Sequence, residues 1–291
     1  MVVSLVELAC LDAHLWLGTG EKAARRLQLV QSTVSRNIKR VARAFQLQVC
    51  RSANDLVIQG DQSLLQLERE LHQRYRWQHG MPLRLDAQYY SGPLLCEPNP
   101  DQWLIGEYDF MDVQRPMTLL RQCILDVWIG VYPDTPDEHN PDFACFHLTR
   151  LPTHLVVAEG HPLLSRDDGI SLDDVRGFPS LALPDQAFPE VQRRLEALGL
   201  WTSPSRLRRY RQELWEGRTA DQLTVGYATA FSMHLFDRPQ VVLPVSLNLE
   251  VGDSVIVRRC FANHPRFQAL LALLRQRVHD LAKQIPDLKV L

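Results

Sequence analysis

The chain has 291 residues, 45% of them apolar and 23% charged, and a net charge of −2. This composition excludes fibrous, collagen-like and mostly disordered proteins, and the length suggests two domains. No apolar run approaches the roughly 18–20 residues of a membrane span, and bulk charge names no partner. Residues 1–80, however, carry eleven Lys/Arg against seven Asp/Glu, leaving +4 there and −6 on the remainder. A basic amino-terminal part on an acidic body suggests a nucleic-acid-binding head joined to a different module. Glu7-Leu8-Ala9-Cys10 lacks a preceding basic residue and a long apolar stretch. No signal peptide is read there, so the cytoplasm is the expected compartment. The six cysteines are scattered without a C-x-x-C pair, which argues against a zinc site or a disulfide framework.

Leu5, Leu8, Leu11 and Leu15 recur at helical spacing until Gly18-Thr19-Gly20 breaks the pattern. Thr19 is placed to cap a short helix over Glu21–Leu27, and Gln28-Leu29-Val30 form a tight turn. A third helix is expected from about Gln31 to Phe45, started by the Ser32-Thr33 pair. With Val34 at 0° and about 100° per residue, Ile38, Val41 and Phe45 fall within about 40° of it and form one apolar stripe. Ser32, Arg36, Lys39, Arg40 and Arg43 share the opposite face, with Ser35 on its flank. A face built only for solubility usually mixes signs; this one holds four cations and no acid. Two short helices joined by a three-residue turn, the second bearing that face, form a helix-turn-helix suited to the DNA major groove. Gly18-Thr19-Gly20-Glu21-Lys22-Ala23 also fits the loose G-x-G-x-x-A dinucleotide pattern, but it follows a helix and not a strand. Leu47–Val49 and Leu56–Ile58 flank a polar tip and read as a β-hairpin wing, with Arg51 placed to reach phosphate or a minor groove. From Asp61 to about Trp77, Leu64, Leu65, Leu67, Leu71 and Tyr75 mark a long helix assigned to dimerisation.

These residues carry a resemblance. Ala23-Ala24-Arg25-Arg26-Leu27 followed by Gln31-Ser32-Thr33-Val34-Ser35-Arg36 resembles the A-A-x-x-L…S-Q-(P/S)-A-(V/L)-S-R signature of LysR-type transcriptional regulators. Leu56–Gly60 resembles that family's L-T-x-x-G, and Leu125–Gly130 its L-D-x-x-I-G strand. His161-Pro162-Leu163 and Ile170–Val175 resemble its H-P-L and I-S-L-x-D-L segments. The sequence departs at Thr19-Gly20, where the family usually has Ser and Phe, and at Val30. It departs again at Phe45–Arg51, where L-G-V-x-L-F-x-R is eroded. The resemblance implies a winged helix-turn-helix head (1–59) and a linker helix (60–82). It further implies a two-subdomain α/β effector-binding body resembling periplasmic binding proteins (83–291). Subdomain I of that body would be about 83–158 plus 259–291, and subdomain II about 159–258. Implied partners are double-stranded DNA, further copies of the chain as a dimer or tetramer, a small organic effector and RNA polymerase; no cofactor, metal or membrane is implied. Gln31, Ser32, Ser35 and Arg36 are expected to read bases or place the helix, and Lys39, Arg40 and Arg51 to contact phosphate.

Past residue 82, strands are expected at Leu83–Gln88, Leu125–Val131, His154–Glu159, Ser180–Leu183, Val241–Leu243 and Ser254–Arg259. Helices are expected at Pro189–Leu198, Thr219–Ala230 and Pro265–Lys283, and Ser171 with Asp174 forms a capping signature. This alternation implies an α/β fold with largely parallel sheets. Prolines 93, 98, 100 and 116 are expected to interrupt the segment Gly92–Thr118, where the family carries a long helix. Ligands in open α/β sheets sit beyond the carboxyl ends of strands. That rule selects Tyr89, Tyr90, Ser91, Tyr132 and Asp185, and Gly226 and Tyr227 resemble the family's V-x-x-G-x-G loop. Ser91 at a helix start could take a carboxylate on backbone N–H groups, whereas an inward Asp185 would disfavour a purely anionic pocket. No G-x-S-x-G, H-E-x-x-H or P-loop occurs, so an enzyme is not expected. One alternative keeps the fold with a degenerate pocket, acting through protein interaction or through thiol redox sensing by Cys96, Cys123 and Cys145.

Overall fold

The computed structural model describes residues 1–52, 55–207, 209–211, 214, 218, 222–235, 240–285 and 287–291. The chain divides into two compact units. The first comprises Met1–Asp86, Asn99–Glu107 and Pro116–Trp128, and the second the rest. The first unit opens with helices α1 (Leu5–Leu17), α2 (Gly20–Leu27) and α3 (Gln31–Ala44). Ser4 and Glu7 form a reciprocal capping box at the start of α1, and Gly18 ends that helix in the left-handed region at φ 80°. The Thr19 hydroxyl accepts the Lys22 N–H and starts α2, as its position suggests. Helix α3 starts at Gln31 as expected, but not on the Ser32-Thr33 pair. Its N-cap is Val30, which makes no side-chain cap, and Ser32 and Thr33 lie inside the first turn. Val34, Val41 and Phe45 are buried and Ile38 is half-buried, so the apolar stripe packs as expected. Antiparallel strands β1 (Gln48–Ser52) and β2 (Asp55–Gln59) form the hairpin, and its tip at residues 53 and 54 lies outside the described residues.

Helix α4 (Ser63–Gln78) is inverted relative to an ordinary amphipathic helix. Glu68, Arg69, His72, Gln73 and Arg76 are its buried polar residues, whereas Leu64, Leu67 and Leu71 are 67%, 63% and 47% exposed. Most of the polar face is paired with charge. Arg69 Nε donates to Asp12 Oδ1 at 2.9 Å. Arg84, on β3 (Leu83–Ala87), donates to Asp12 Oδ2 at 3.0 Å. Arg76 and Gln73 donate to Asp126 Oδ1 at 3.1 and 3.0 Å. The Trp16 indole N–H donates to Asp86 Oδ2 at 2.6 Å. Gly106 closes over the Asp86 carboxylate so tightly that a Cβ there would collide with it. Strand β4 (Trp103–Ile105) runs parallel to β3, with Arg84 opposite Leu104. Helix α1 is therefore tied to α4 and β3 by buried ion pairs, which fixes the placement of α3 within this unit. Strand β5 (Val127–Tyr132) forms close to the expected span Leu125–Val131.

In the second unit the sheet is mainly antiparallel, against the expectation from alternating elements. Strand β7 (Thr149–Ala158) pairs antiparallel with β10 (Gly226–Ala228), β11 (Gln240–Arg258) and β12 (Lys289–Val290). Strand β6 (Phe143–His147) pairs antiparallel with β11. The expected strands at Val241–Leu243 and Ser254–Arg259 are the two ends of the single β11, whose pairing with β7 shifts register between Val242 and Glu250. Strand β8 (Leu181–Ala182) is parallel to β9 (Ser203–Pro204). The expected helix Thr219–Ala230 is also corrected. Gly226–Ala228 is a strand, a helix starts at Ala230, and residues 219–221 lie outside the described residues. The proline-rich segment holds a four-residue helix, Gly92–Leu95, and β4 before the helix Gln114–Arg121. Pro116 occupies the first turn of that second helix, where its missing N–H costs nothing, so it does not interrupt. The capping box of Ser171 and Asp174 and the helices Pro189–Ala197 and Pro265–Ala282 match expectation.

Candidate functional site

Burial of Val34, Asn37 and Val41 turns the other face of α3 to solvent. Gln31, Ser32, Ser35, Arg36, Lys39 and Arg40 are all exposed on it, together with Arg43. Arg36 Nη2 donates to Thr33 Oγ1 at 3.2 Å, which steadies the guanidinium at the first turn. Arg40 lies 3.4 Å from Glu7 in a pair of which Arg40 is 64% exposed. A pair this wet contributes little and yields readily to phosphate. Arg51 is exposed on β1. By contrast Lys22 and Arg26 of α2 are engaged by Glu107 at 3.1 Å each. Among the described residues, the exposed cations of the head are thus Arg25 on α2, Arg36, Lys39, Arg40 and Arg43 on α3, and Arg51 on the hairpin.

A cavity of about 820 Å³, including its open mouth, lies within the second unit. Its aromatic wall is Tyr89, Tyr90, Phe188, Trp201 and Tyr227, and its aliphatic wall includes Leu181, Leu183, Val191 and Leu195. Polar side chains at the boundary are Gln88, Thr153, Thr229 and Ser232. Tyr89 stacks on Tyr210 with ring centroids 4.0 Å apart, which holds its ring in place. Burial pushes the Tyr227 phenol up to about 12, and the Ser180 hydroxyl opposes that shift.

Of the residues selected from the sequence, Tyr89, Tyr90 and Tyr227 meet at this cavity, and Ser91, Tyr132, Asp185 and Gly226 do not line it. Each absence has a local cause. Ser91 is wholly buried beside Asp253. Tyr132 lies under the Arg150 guanidinium, 3.5 Å from its ring centroid. Asp185 is exposed and accepts from Gln192 Nε2 at 3.0 Å. Gly226 is buried in β10 and offers no side chain. Gln88, Phe188 and Trp201 were missed; only Gln88 carried a signal, as the last residue of the expected strand Leu83–Gln88. No group of described residues could hold a metal ion.

Behind the cavity, Asp253 is wholly buried, and its Oδ2 accepts from Thr149 Oγ1 at 2.8 Å. Burial pushes this carboxyl up to about 6, against the Thr149 and Ser91 hydroxyls and Arg150. The folded state therefore holds a proton that the unfolded chain releases between about pH 4 and pH 6. Across that window stability falls as pH rises. Asp253→Asn is expected to stabilise the protein by roughly 3 kcal/mol at pH 8 and to have little effect below pH 4. Urea denaturation at the two pH values checks this.

No helix among the described residues is long and apolar enough to cross a membrane. No family model and no curated protein matches the sequence. Solved structures do match. A full-length variant of OxyR from Pseudomonas aeruginosa is 16% identical, with 94% of each chain covered and a TM-score of 0.55. A probable transcriptional regulator from the same organism is 12% identical, with 94% of this chain and 97% of that chain covered and a TM-score of 0.57. CbnR, a LysR family transcriptional regulator, is 15% identical, with 94% and 99% covered and a TM-score of 0.50. Over nearly its whole length, the chain has the fold of LysR-family transcriptional regulators.

Proposed function

We propose that this protein is a sequence-specific DNA-binding transcriptional regulator of LysR type that acts as a homo-oligomer. The observation that carries the reading is the exposed face of α3, which bears four cations and no acid and is backed by a buried apolar stripe. Such a helix fits the major groove and offers its first-turn polar residues to base edges. Gln31, Ser32, Ser35 and Arg36 would read bases, while Lys39, Arg40 and Arg51 would hold phosphate. A single short helix reads too few bases, so two heads are required. The exposed stripe of Leu64, Leu67 and Leu71 supports a second copy of the chain as the partner of α4. Arg36→Ala is expected to weaken binding to the selected site by about 1–3 kcal/mol and to relax base preference. Lys39→Ala is expected to weaken all sequences alike and to lower the salt slope by about 1. Fluorescence anisotropy on specific and scrambled duplexes at several salt concentrations checks both. Intact binding in both variants would remove α3 as the reading head.

The cavity supports control by a small molecule, since an apolar hollow with a few polar side chains is the usual form of such a site. Three of the tyrosines selected as strand-end or loop residues border it. The thiol-sensing alternative has less behind it. Of its three thiols, Cys96 and Cys123 are buried and burial raises Cys145 above its ordinary range, whereas a reactive cysteine needs exposure and a lowered pKa.

A further inference from the structure

We propose that the cavity of the second unit takes an uncharged, ring-containing molecule whose rim carries a hydrogen-bond donor beside an acceptor, as in a carboxamide or lactam. This rests on the reading of the cavity as the effector site and specifies its ligand. Three observations carry it. First, no Asp, Glu, Lys, Arg or His lines the cavity among the described residues, and burying an unpaired charge against apolar walls is strongly unfavourable. Second, the charged group that acts on a lining tyrosine is a carboxylate, the wrong sign to favour an anion. Asp253 is wholly buried and close enough to Tyr90 to raise its phenol, after burial itself and together with Tyr89. Third, Gln88 borders the cavity, is wholly buried, and leaves both amide atoms without a hydrogen-bond partner.

The third observation sets the pattern of polar groups. The Gln88 N–H donates to the Ile129 carbonyl at 3.2 Å, which anchors its backbone while the side-chain amide is left unmatched. A glutamine amide presents a donor and an acceptor in one planar fork. Its best complement is a second amide, which satisfies both atoms at once. The unpartnered Tyr90 hydroxyl and Thr153 Oγ1 offer further polar contacts at the same cavity. The aromatic and aliphatic walls take the ring body.

The test uses the full-length protein and four probes that share one ring system: 2-naphthamide, N,N-dimethyl-2-naphthamide, 2-naphthoate and 2-naphthylmethylammonium. Isothermal titration is expected to give 2-naphthamide the lowest Kd, with the other three weaker by about tenfold or more, which is about 1.4 kcal/mol. In Gln88→Met the primary and dimethylated amides are expected to bind within about threefold of each other. The unliganded variant should melt no lower than the parent, because an unpaired buried amide has been removed. Tighter binding of the carboxylate or the ammonium, a discrimination that survives in Gln88→Met, or no binding by any probe would overturn the proposal. A parallel anisotropy titration on DNA separates it from the reading beneath it. Amide-selective binding that leaves DNA affinity unchanged would uphold the ligand class and refute the effector role.

Discussion

Asp12→Ala is expected to destabilise the protein by about 3–5 kcal/mol, a large share of the roughly 5–15 kcal/mol that holds a typical domain folded. Asp12 is wholly buried and joins Arg69 and Arg84, whose side chains are 1% and 3% exposed. Removing the carboxylate strands two guanidinium groups away from water. Burial opposes the charge on Asp12, but Arg69, Arg84 and Arg76 hold its carboxyl below its ordinary range. Its contribution is therefore complete above about pH 4 and is lost as pH falls through its lowered pKa. The large penalty belongs to the broken cluster and not to burial as such. Asp12→Leu with Arg69→Met and Arg84→Met is expected to recover most of the loss, because apolar replacement of a whole buried ion cluster is often neutral. Urea denaturation followed by the fluorescence of Trp16 and Trp77 checks both, since each indole is buried in the same unit. A loss below about 1 kcal/mol for the single variant would mean that the two arginines reach solvent or another anion.

Leu67→Glu is expected to break the homodimer while leaving the chain folded. Leu67 is 63% exposed at the centre of the α4 stripe, so its own chain loses little by the change. Each fully buried leucine contributes about 1.5–3 kcal/mol, and two-fold symmetry counts it twice. The dimer Kd should therefore rise by roughly 10²- to 10⁴-fold. Sedimentation at micromolar concentration should show a monomer with unchanged circular dichroism, and DNA affinity should fall because only one half-site is held. A variant that remains dimeric would place the interface elsewhere.

The two faces of α4 show how far the sequence could be read. Its leucines follow helical spacing, so the exposed stripe was legible. Its buried face was not, because Arg69 and Arg76 find their partners in Asp12 and Asp126, about fifty residues or more away along the chain. Pairing at that distance leaves no periodic trace. The α3 face was legible for the opposite reason: everything that defines it lies within fourteen consecutive residues. Its start at Gln31 was legible as well; only the cap was misread, since Ser32 and Thr33 resemble caps but Val30 takes the extended conformation without a side-chain cap. The body was legible as alternating strands and helices but not in its pairing. Strand direction depends on which partners β7 and β11 find, and local pattern carries no information on that. The same holds for the cavity. The strand-end rule located Tyr89 and Tyr90, but it could not show that Asp185 turns to Gln192 or that Phe188 and Trp201 close the wall.

The central claim is that the exposed face of α3 reads DNA sequence. The most direct measurement is selection of the full-length protein on random double-stranded DNA, followed by sequencing of what it retains. Enrichment of an interrupted palindrome, lost in Arg36→Ala, is the expected result. Retention of DNA without enrichment, abolished by moderate salt, would contradict it and leave a head that only grips phosphate.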